Sequence, residues 1–191
     1  VAASAELARI VLEWAGLSST ELAGARRDDP SGTAVAERAP TAAAGLRVLE
    51  LFAGHGNFTL PLAARARSVV AVENNDAASR ALVTNLAAHA LTADVITRDA
   101  ADALTKKRRA LVGIDVVVLD PPRIGARECI APLAALHPRT IVYVSCEPRT
   151  LARDAAALVA LGYQLDRVKV VDCFPRTAHV EVVARLVLTP R

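Results

Sequence analysis

The sequence predicts an α/β fold whose mostly parallel sheet ends in an antiparallel pair of strands. From Leu46 to Leu161, short apolar runs alternate with longer segments whose apolar residues recur at helical spacing. Such alternation is typical of βαβ units with right-handed crossovers and a buried parallel sheet. After Gly162, two strand-like runs follow each other with no helical segment between them, which predicts a hairpin that closes the sheet.

The amino-terminal residues do not share this alternation. In residues 1–17, the apolar side chains from Leu7 to Trp14 recur at spacings of three and four, which predicts an amphipathic helix packed on the main body. Residues 18–45 lose this periodicity and collect Ser, Thr, Gly, Pro and mixed charges, which predicts a flexible connection. Residues 46–191 then form the main domain.

The elements of the main domain follow from the same patterns. Five apolar runs are predicted to be parallel strands, at residues 46–52, 68–72, 93–97, 115–119 and 140–145. Helices are predicted between and after them, at residues 60–66, 77–90, 100–110, 127–136 and 150–161. The hairpin is predicted at residues 164–172 and 180–188. Because the carboxyl ends of parallel strands meet at one edge of a sheet, we expect ligands to bind beyond that edge.

The composition is that of one water-soluble domain. The chain has 191 residues, of which 53% are hydrophobic and 23% charged, enough for one sizeable core. No apolar run approaches the ~20 residues that cross a bilayer, and Glu6, Arg9 and Glu13 stand where a signal peptide would be uncharged. We therefore expect a cytoplasmic protein with no membrane partner. The net charge of +3 permits a polyanionic partner without demonstrating one.

The cysteines exclude two classes of site. Cys129, Cys146 and Cys173 are odd in number and have no CxxC spacing, which argues against a disulfide framework and against a zinc or iron–sulfur site. We predict no metal, and we interpret Cys129 and Cys173 as thiols without a functional role. The sequence contains no methionine, so we expect the natural chain to begin upstream of Val1.

Three of the predicted strands end in residues suited to a nucleotide-like cofactor. Gly54 and Gly56 follow the first strand, where glycine permits positive φ and a close approach of a ligand to the backbone, although any tight turn would favour it. Glu73 ends the second strand and either accepts the hydroxyls of a ribose or caps a helix. Asp99 follows the third and either reaches an adenine amino group or caps a helix. Dinucleotide and S-adenosylmethionine sites share these features, so they do not by themselves identify the cofactor.

The fourth and fifth strands bring more reactive groups to the same edge. Asp120 follows the fourth strand and precedes two prolines, which stiffen the loop. Cys146 follows the fifth strand, where the amino end of the next helix and Arg149 or Arg123 would favour the thiolate that a nucleophile needs. The alternative is a small cysteine buried in the core.

The remaining polar candidates are weaker when taken singly. Glu181 opens the second run of the hairpin, and a carboxylate in that position usually faces water. His179, two residues earlier, is more often structural. The basic run Lys106–Arg109 is most simply a solvated helix end, and contact with phosphate is the alternative.

Taken together, six segments resemble the 5-methyluridine RNA methyltransferases, which use S-adenosylmethionine to modify uridine C5 in tRNA or 23S rRNA. The segments are LELFAGHGNFTLPLA, VVAVE, VVLDPPRIGA, IVYVSCEPRTLARD, GY and DCFPRTAHVE, in this order in the chain from Leu46 onward. Glycine motifs of the first kind recur in many methyltransferases. An S-C-x-P-x-T-L-A-R-D segment followed by F-P-x-T-x-H-x-E is far more specific.

The resemblance implies a fold, a cofactor, a partner and a set of site residues. The fold is Rossmann-like, of the class I S-adenosylmethionine-dependent methyltransferases, and the partner is RNA, with no protein partner evident. Cys146 matches the nucleophile and Glu181 the base. The residues that match the cofactor pocket are Phe52, Gly54, Gly56, Asn57, Glu73 for the ribose, Asp99 near the adenine, and Asp120 between cofactor and target base.

The sequence departs from the family pattern at Glu147, where asparagine is usual. A second carboxylate beside the thiol disfavours the thiolate unless an arginine compensates, so we expect an effect on the rate rather than on the mechanism. The resemblance also implies an upstream RNA-binding part, which we expect to lie before Val1.

Two alternatives stay open. A cytosine-C5 RNA methyltransferase also uses a cysteine, but its usual proline-cysteine pair after the fourth strand is replaced here by Pro121 and Pro122. From a different class, a catalytically silent module that binds S-adenosylmethionine or RNA would share the same fold.

A third class, the amino-group methyltransferases, is disfavoured because such an enzyme would have an aromatic residue where Arg123 stands.

Overall fold

The computed structural model describes residues 2–17, 45–172 and 180–190. The predicted connection at residues 18–45 therefore lies outside the described residues except for Gly45. Cys173 and His179 also lie outside them.

Within the described residues, seven strands form one sheet. They are β1 (Arg47–Leu51), β2 (Ser68–Glu73), β3 (Asp94–Thr97), β4 (Val116–Leu119), β5 (Thr140–Ser145), β6 (Tyr163–Val171) and β7 (Glu181–Leu188). Their order in the sheet is β3-β2-β1-β4-β5-β7-β6. Strands β1 to β5 are parallel, whereas β7 runs antiparallel to both of its neighbours, β5 and β6. The predicted fold, a mostly parallel seven-stranded sheet with a terminal antiparallel hairpin, is confirmed.

The helices of the described residues connect these strands and cover the sheet. They are α1 (Ala2–Trp14), α2 (Thr59–Ala63), α3 (Asp76–Ala88), α4 (Ala100–Lys106), α5 (Arg127–Ala134) and α6 (Pro148–Ala160), with a 3-10 helix at Arg108–Leu111. None of them is long and apolar enough to cross a bilayer.

The strand order reverses between β1 and β4. The chain builds the sheet outward from β1 through β2 and β3, and then returns to add β4 and β5 on the other side of β1. In sheets of this kind the two loops that leave such adjacent strands turn toward opposite faces, which opens a crevice at the carboxyl edge. The fold therefore predicts a ligand site beyond the ends of β1 and β4.

The core lies on both faces of the sheet because the central strands are apolar on both sides. Every residue of β4 and β5 is buried, as expected for β-branched runs in a parallel sheet. One face packs against α4, α5 and α6, and the other against α1, α2 and α3. In α1, Ile10 and Trp14 contact the same cluster as Val48 and Val142. Each such large apolar side chain contributes about 1.5–3 kcal/mol when buried.

Strand β6 forms an exposed edge of the sheet. Seven consecutive residues between its two buried ends are exposed, and Leu165, Val168 and Val170 are the apolar ones among them. The Lys169 ammonium lies 3.1 Å from a carboxylate oxygen of Glu6, which links β6 to α1. Both side chains of this ion pair are largely exposed, so it adds little stability.

The predicted helix at residues 100–110 is shorter in the structure. Helix α4 ends at Lys106, and residues 108–111 form the 3-10 helix. The Arg47 guanidinium donates hydrogen bonds to the carbonyl oxygens of Ala110 and Val112, so this segment is held by the start of β1 rather than by a continued α-helix. The basic run Lys106–Arg109 consequently lies at the amino edge of the sheet, opposite the predicted site.

Candidate active site

The turn after β1 has a left-handed backbone at three of its positions, two of which are glycines. Phe52, Gly54 and Gly56 have φ values of 62°, 55° and 100°, all in the left-handed region. A Cβ at Gly56 would lie 2.4 Å from Leu60 Cδ1 and 2.6 Å from Leu82 Cδ1, so no other residue fits there without rearrangement. At Gly54, by contrast, a Cβ would meet none of the described atoms within 4 Å. The turn therefore packs tightly at Gly56 and faces open space at Gly54.

Glu73 ties the end of β2 to this turn. Its side chain is buried, and its two oxygens accept hydrogen bonds from the backbone N–H groups of Gly54 and Asn75, each at 2.8 Å. Asn75, not Glu73, caps helix α3, because its side chain accepts from the N–H of Ala78. A carboxylate has about four acceptor positions, so Glu73 keeps acceptor capacity for a ligand.

The other residues matched to a cofactor pocket surround this turn in different environments. Phe52 is half-buried and packs against the core, while Asn57 is exposed. Asp99 is exposed and caps α4, since its side chain accepts from the N–H of Asp102 at 3.0 Å. Asp99 thus caps a helix, which was one of its two predicted roles. Because its side chain is exposed, it is also accessible to a ligand.

Glu50 is a buried acid that the sequence reasoning missed. It lies on β1 with 2% of its surface exposed, and the Thr59 hydroxyl donates a hydrogen bond to it. Burial, together with the negative charges of Asp120 and Glu73, raises its pKa to about 8. The signal in the sequence that could have identified Glu50 is its position as an acid within the apolar strand RVLEL.

Asp120 follows β4 beside the end of β1. Its backbone N–H points to the carbonyl oxygen of Leu51 at 3.5 Å. The residue is accessible to solvent, yet the surrounding protein desolvates its carboxyl group. This desolvation, and secondarily the charge of Glu181, raises the pKa of Asp120 to about 7. The carboxyl group that follows β4 and the one that begins β7 therefore lie close enough for their charges to interact.

The register of β5 and β7 brings Cys146 and Glu181 together. The last pair of this antiparallel ladder is Ser145 with Val182. Cys146 follows Ser145 in the chain and Glu181 precedes Val182, so the two residues flank this last pair at the point where the ladder ends. Two residues far apart in sequence are therefore neighbours at the carboxyl edge.

Glu181 has the environment of a group that lacks a partner. It is half-buried, and its Oε2 atom is buried with no hydrogen-bond partner among the described residues. Desolvation raises its pKa. A buried polar atom without a partner costs stability, and a carboxylate oxygen of this kind can take a proton or accept a hydrogen bond from a ligand.

The two described cysteines differ in accessibility. Cys146 is partly exposed at the end of β5, whereas Cys129 of α5 is buried. Burial is the main cause that raises the pKa of Cys129 to about 12, which makes its thiol unreactive. The alternative of a fully buried core thiol therefore describes Cys129 and not Cys146.

The turn after Cys146 is organised by its neighbours. The Ser145 hydroxyl and the Glu147 backbone exchange hydrogen bonds at 3.1 and 3.0 Å. The Glu147 carboxylate accepts from the N–H of Arg149 at 3.2 Å and caps helix α6. The carboxylate that departs from the family pattern thus has a structural partner at the amino end of the helix.

Comparisons with known proteins agree with one another. The model of the family described as tRNA (Uracil-5-)-methyltransferase matches residues 36–188. The 23S rRNA (uracil(1939)-C(5))-methyltransferase RlmD of Pseudomonas putida is 48% identical over 143 residues, which are 72% of this chain and 31% of the relative. RlmD of Alkalilimnicola ehrlichii is 50% identical over 144 residues, 73% of this chain and 32% of the relative. The chain thus spans about a third of the length of these curated relatives.

A solved structure shows the same architecture. The tRNA (uracil-54, C5)-methyltransferase of Pyrococcus abyssi, in complex with S-adenosyl-L-homocysteine, has a TM-score of 0.67 and 33% sequence identity to this chain. The likeness covers 75% of this chain and 34% of that one.

Proposed function

Because the chain belongs to the tRNA (uracil-5-)-methyltransferase family, we propose that it is the catalytic part of an RNA uridine-C5 methyltransferase that uses S-adenosylmethionine. The observation that carries this proposal is the β5–β7 ladder, whose last pair, Ser145 with Val182, is flanked by Cys146 and Glu181, at the edge where Asp120 and the glycine turn also lie. A nucleophile, a base and a cofactor pocket are the parts that this reaction requires.

The residues at the edge fit a cationic, nucleoside-containing cofactor. Open space at Gly54 leaves room for a ligand against the backbone, and Glu73 has acceptor capacity for ribose hydroxyls. The carboxyl groups of Glu50 and Asp120 lie near enough to interact electrostatically, and their charged forms would favour a positively charged ligand. We propose that Phe52, Gly54, Gly56, Asn57, Glu73, Asp99 and Asp120 bind S-adenosylmethionine, which supplies the methyl group.

Cys146 overcomes the low nucleophilicity of uracil C5. In the proposed reaction its thiolate adds to C6 of the ring, and the C5–C6 double bond becomes an enolate with a nucleophilic C5. C5 then takes the methyl group. The ring remains bound to the protein through the new C6–S bond until a proton leaves C5.

Glu181 removes that proton in the proposed mechanism. The electron pair of the C5–H bond restores the C5–C6 double bond, and the thiolate leaves C6. A carboxylate whose pKa is raised by desolvation is a stronger base than one in water, and a well-placed general base contributes ~10²–10⁴ to the rate. The unpartnered Oε2 of Glu181 among the described residues supports this role.

We propose RNA as the partner and the cytoplasm as the location. The curated relatives are named for uracil 1939 of 23S rRNA, and the solved structure for uracil 54 of tRNA. The identity to the 23S rRNA enzymes, 48–50%, exceeds the 33% to the tRNA enzyme, and this favours 23S rRNA.

The test is methyl transfer by the full-length protein. Labelled S-adenosylmethionine is offered with unmodified 23S rRNA or unmodified tRNA, and a parallel assay traps the covalent adduct with RNA that contains 5-fluorouridine. We expect labelling of one RNA and an adduct with the wild type, neither with Cys146→Ala, and both with Cys129→Ala as the matched cysteine control. Labelling that survives Cys146→Ala would remove the assigned nucleophile, and absence of both signals in the wild type would refute the function.

A further inference from the structure

The loop 121–126, which leads from Asp120 to α5, is held by side chains of α6. The Thr150 hydroxyl lies 3.1 Å from the carbonyl oxygen of Arg123 and 3.0 Å from that of Glu147, and its single proton is shared between these two acceptors. The Arg153 guanidinium donates to the carbonyl oxygen of Ile124 at 3.0 Å. The Ile124 side chain is 78% exposed, so the loop is fixed through its backbone rather than by burial of its apolar tip.

A single buried carboxylate completes this attachment. Asp154 is 1% exposed, and its Oδ2 accepts hydrogen bonds from the Ala126 N–H at 2.7 Å and the Tyr143 hydroxyl at 2.8 Å. Its Oδ1 accepts from the Arg153 guanidinium at 2.7 and 2.8 Å. Asp154 therefore joins the loop, strand β5 and helix α6. A Cβ at Gly125 would lie 2.6 Å from Asp154 Oδ2, so the loop backbone rests directly on the carboxylate.

The spacing of these residues explains part of the TLARD segment. Thr150, Arg153 and Asp154 stand at i, i+3 and i+4 of α6, which places them on one face of the helix. Leu151, between them in sequence, is buried in the core. One turn of helix thus packs through leucine and holds the loop through its polar residues.

We propose that Thr150, Arg153 and Asp154 form a clamp that positions loop 121–126, and through it Asp120, relative to Cys146. Helix α6 begins at Pro148, two residues after Cys146, so the helix that follows the nucleophile also holds the loop that follows Asp120. The inference rests on the proposed function and assigns positioning roles beyond it.

The clamp predicts an effect on rate that folding alone does not explain. A displacement of ~1 Å in a reacting group can lower a rate by about a hundredfold. Buried carboxylates also stabilise folds by satisfying backbone donors, and a residue with only that role would change the melting temperature and leave the rate of the folded enzyme unaltered.

The test compares Thr150→Val with Thr150→Ser in the full-length protein. Valine has the shape of threonine without the hydroxyl, whereas serine keeps the hydroxyl that donates to the loop. With saturating S-adenosylmethionine and 5-fluorouridine RNA, we expect Thr150→Val to form the covalent adduct about tenfold to a hundredfold more slowly, and Thr150→Ser to stay within about threefold of the wild type. Each variant is assayed well below its own melting temperature.

Asp154→Asn provides a second measurement on the same clamp. One amide oxygen cannot replace both carboxylate oxygens, so we expect a loss of adduct rate at least as large as in Thr150→Val. A folded Thr150→Val with the wild-type rate, or Thr150→Ser as slow as Thr150→Val, would overturn the clamp. If the wild type itself forms no adduct, the proposed function fails instead. The adduct of the wild type thus distinguishes failure of the function from failure of the clamp.

Discussion

At the scale of single residues, four acids at the carboxyl edge of the sheet have different environments. Glu73 is buried but accepts two backbone hydrogen bonds. Glu50 is buried with one hydroxyl donor, and Asp120 and Glu181 are desolvated to different degrees. The pKa of each of these last three is raised, and the values of Glu50 and Asp120, about 8 and about 7, mean that these two acids carry less negative charge near neutral pH than free carboxyl groups do.

Glu181→Gln should separate methyl transfer from product release. Glutamine cannot remove the C5 proton, so the ring should stay attached to Cys146 after it has received the methyl group. We expect turnover to fall by about 10²–10⁴-fold, while a covalent complex with ordinary uridine RNA accumulates. Denaturing gel electrophoresis with labelled methyl groups measures both quantities, and a slow variant that accumulates no complex would contradict the role of Glu181.

Glu50 should make stability fall as the pH rises. Its pKa is about 8 in the folded protein against an ordinary value of 4.5, so between these values the folded state holds a proton that the unfolded state has released. Stability is therefore lost from about pH 4.5 to about pH 8, by at most about 5 kcal/mol for this shift. Calorimetric melting at pH 6 and pH 9 should show a smaller pH effect in Glu50→Gln than in the wild type. Equal pH effects in the two proteins would show that Glu50 is not the group responsible.

At the scale of elements, the turn between β1 and α2 combines tight packing with an open side. Gly56 lies against Leu60 and Leu82, and Gly54 faces open space among the described residues. The two glycines therefore serve different purposes, although they look alike in the motif.

Alanine substitutions should distinguish the two glycines. Gly56→Ala combines left-handed strain with overpacking, and we expect it to destabilise the fold by about 2–5 kcal/mol. Gly54→Ala should cost only the strain, about 1–2 kcal/mol, yet weaken S-adenosylmethionine binding because its methyl group enters the open space. Melting temperatures and calorimetric binding measure the two effects, and a Gly54→Ala protein with unchanged affinity would exclude Gly54 from the pocket.

The elements were predictable to different degrees from the sequence. The strands β4 and β5 are continuous apolar runs, which a buried parallel sheet requires, so their positions follow from the pattern. The end of α4 at Lys106 could not be predicted from the sequence pattern, because the Lys, Arg and Ala residues that follow it also favour a helix. The 3-10 helix there is held by Arg47, which is distant in sequence. Local patterns cannot report a tertiary contact of this kind.

The site shows the same division. Cys146 and Asp120 could be placed at the carboxyl edge because each directly follows a predicted strand. The sequence could not show that Asn75 rather than Glu73 caps α3, because both residue types occur at helix starts. The role of Glu50 beneath the turn depends on Thr59, which only the folded chain brings to it.

At the scale of the whole molecule, α1 covers part of one face of the sheet. Its apolar residues join the cluster that contains residues of β1, β4 and β5 and Val171 of β6, and the exposed ion pair of Glu6 and Lys169 adds a polar link to β6. Packing rather than charge should therefore hold this helix in place.

Two substitutions in α1 should separate these contributions. Ile10 is 1% exposed, and Ile10→Ala should destabilise the protein by about 2–5 kcal/mol through the cavity it leaves. Glu6→Gln should change stability by no more than about 0.5 kcal/mol, because an exposed ion pair is worth little. Denaturant titration measures both, and a larger effect at Glu6 than at Ile10 would reverse this view of the helix.

Strand β7 follows β6 in the chain but lies between β5 and β6 in the sheet. During synthesis on the ribosome, a nascent chain that has emerged only as far as β6 exposes the unpaired backbone of β5 on the side that β7 will occupy, and it does not yet contain the carboxylate of Glu181. Insertion of one late strand closes the sheet and supplies Glu181 in the same event. A translation product interrupted before β7 would carry the thiol and yet be unable to complete the reaction proposed for it.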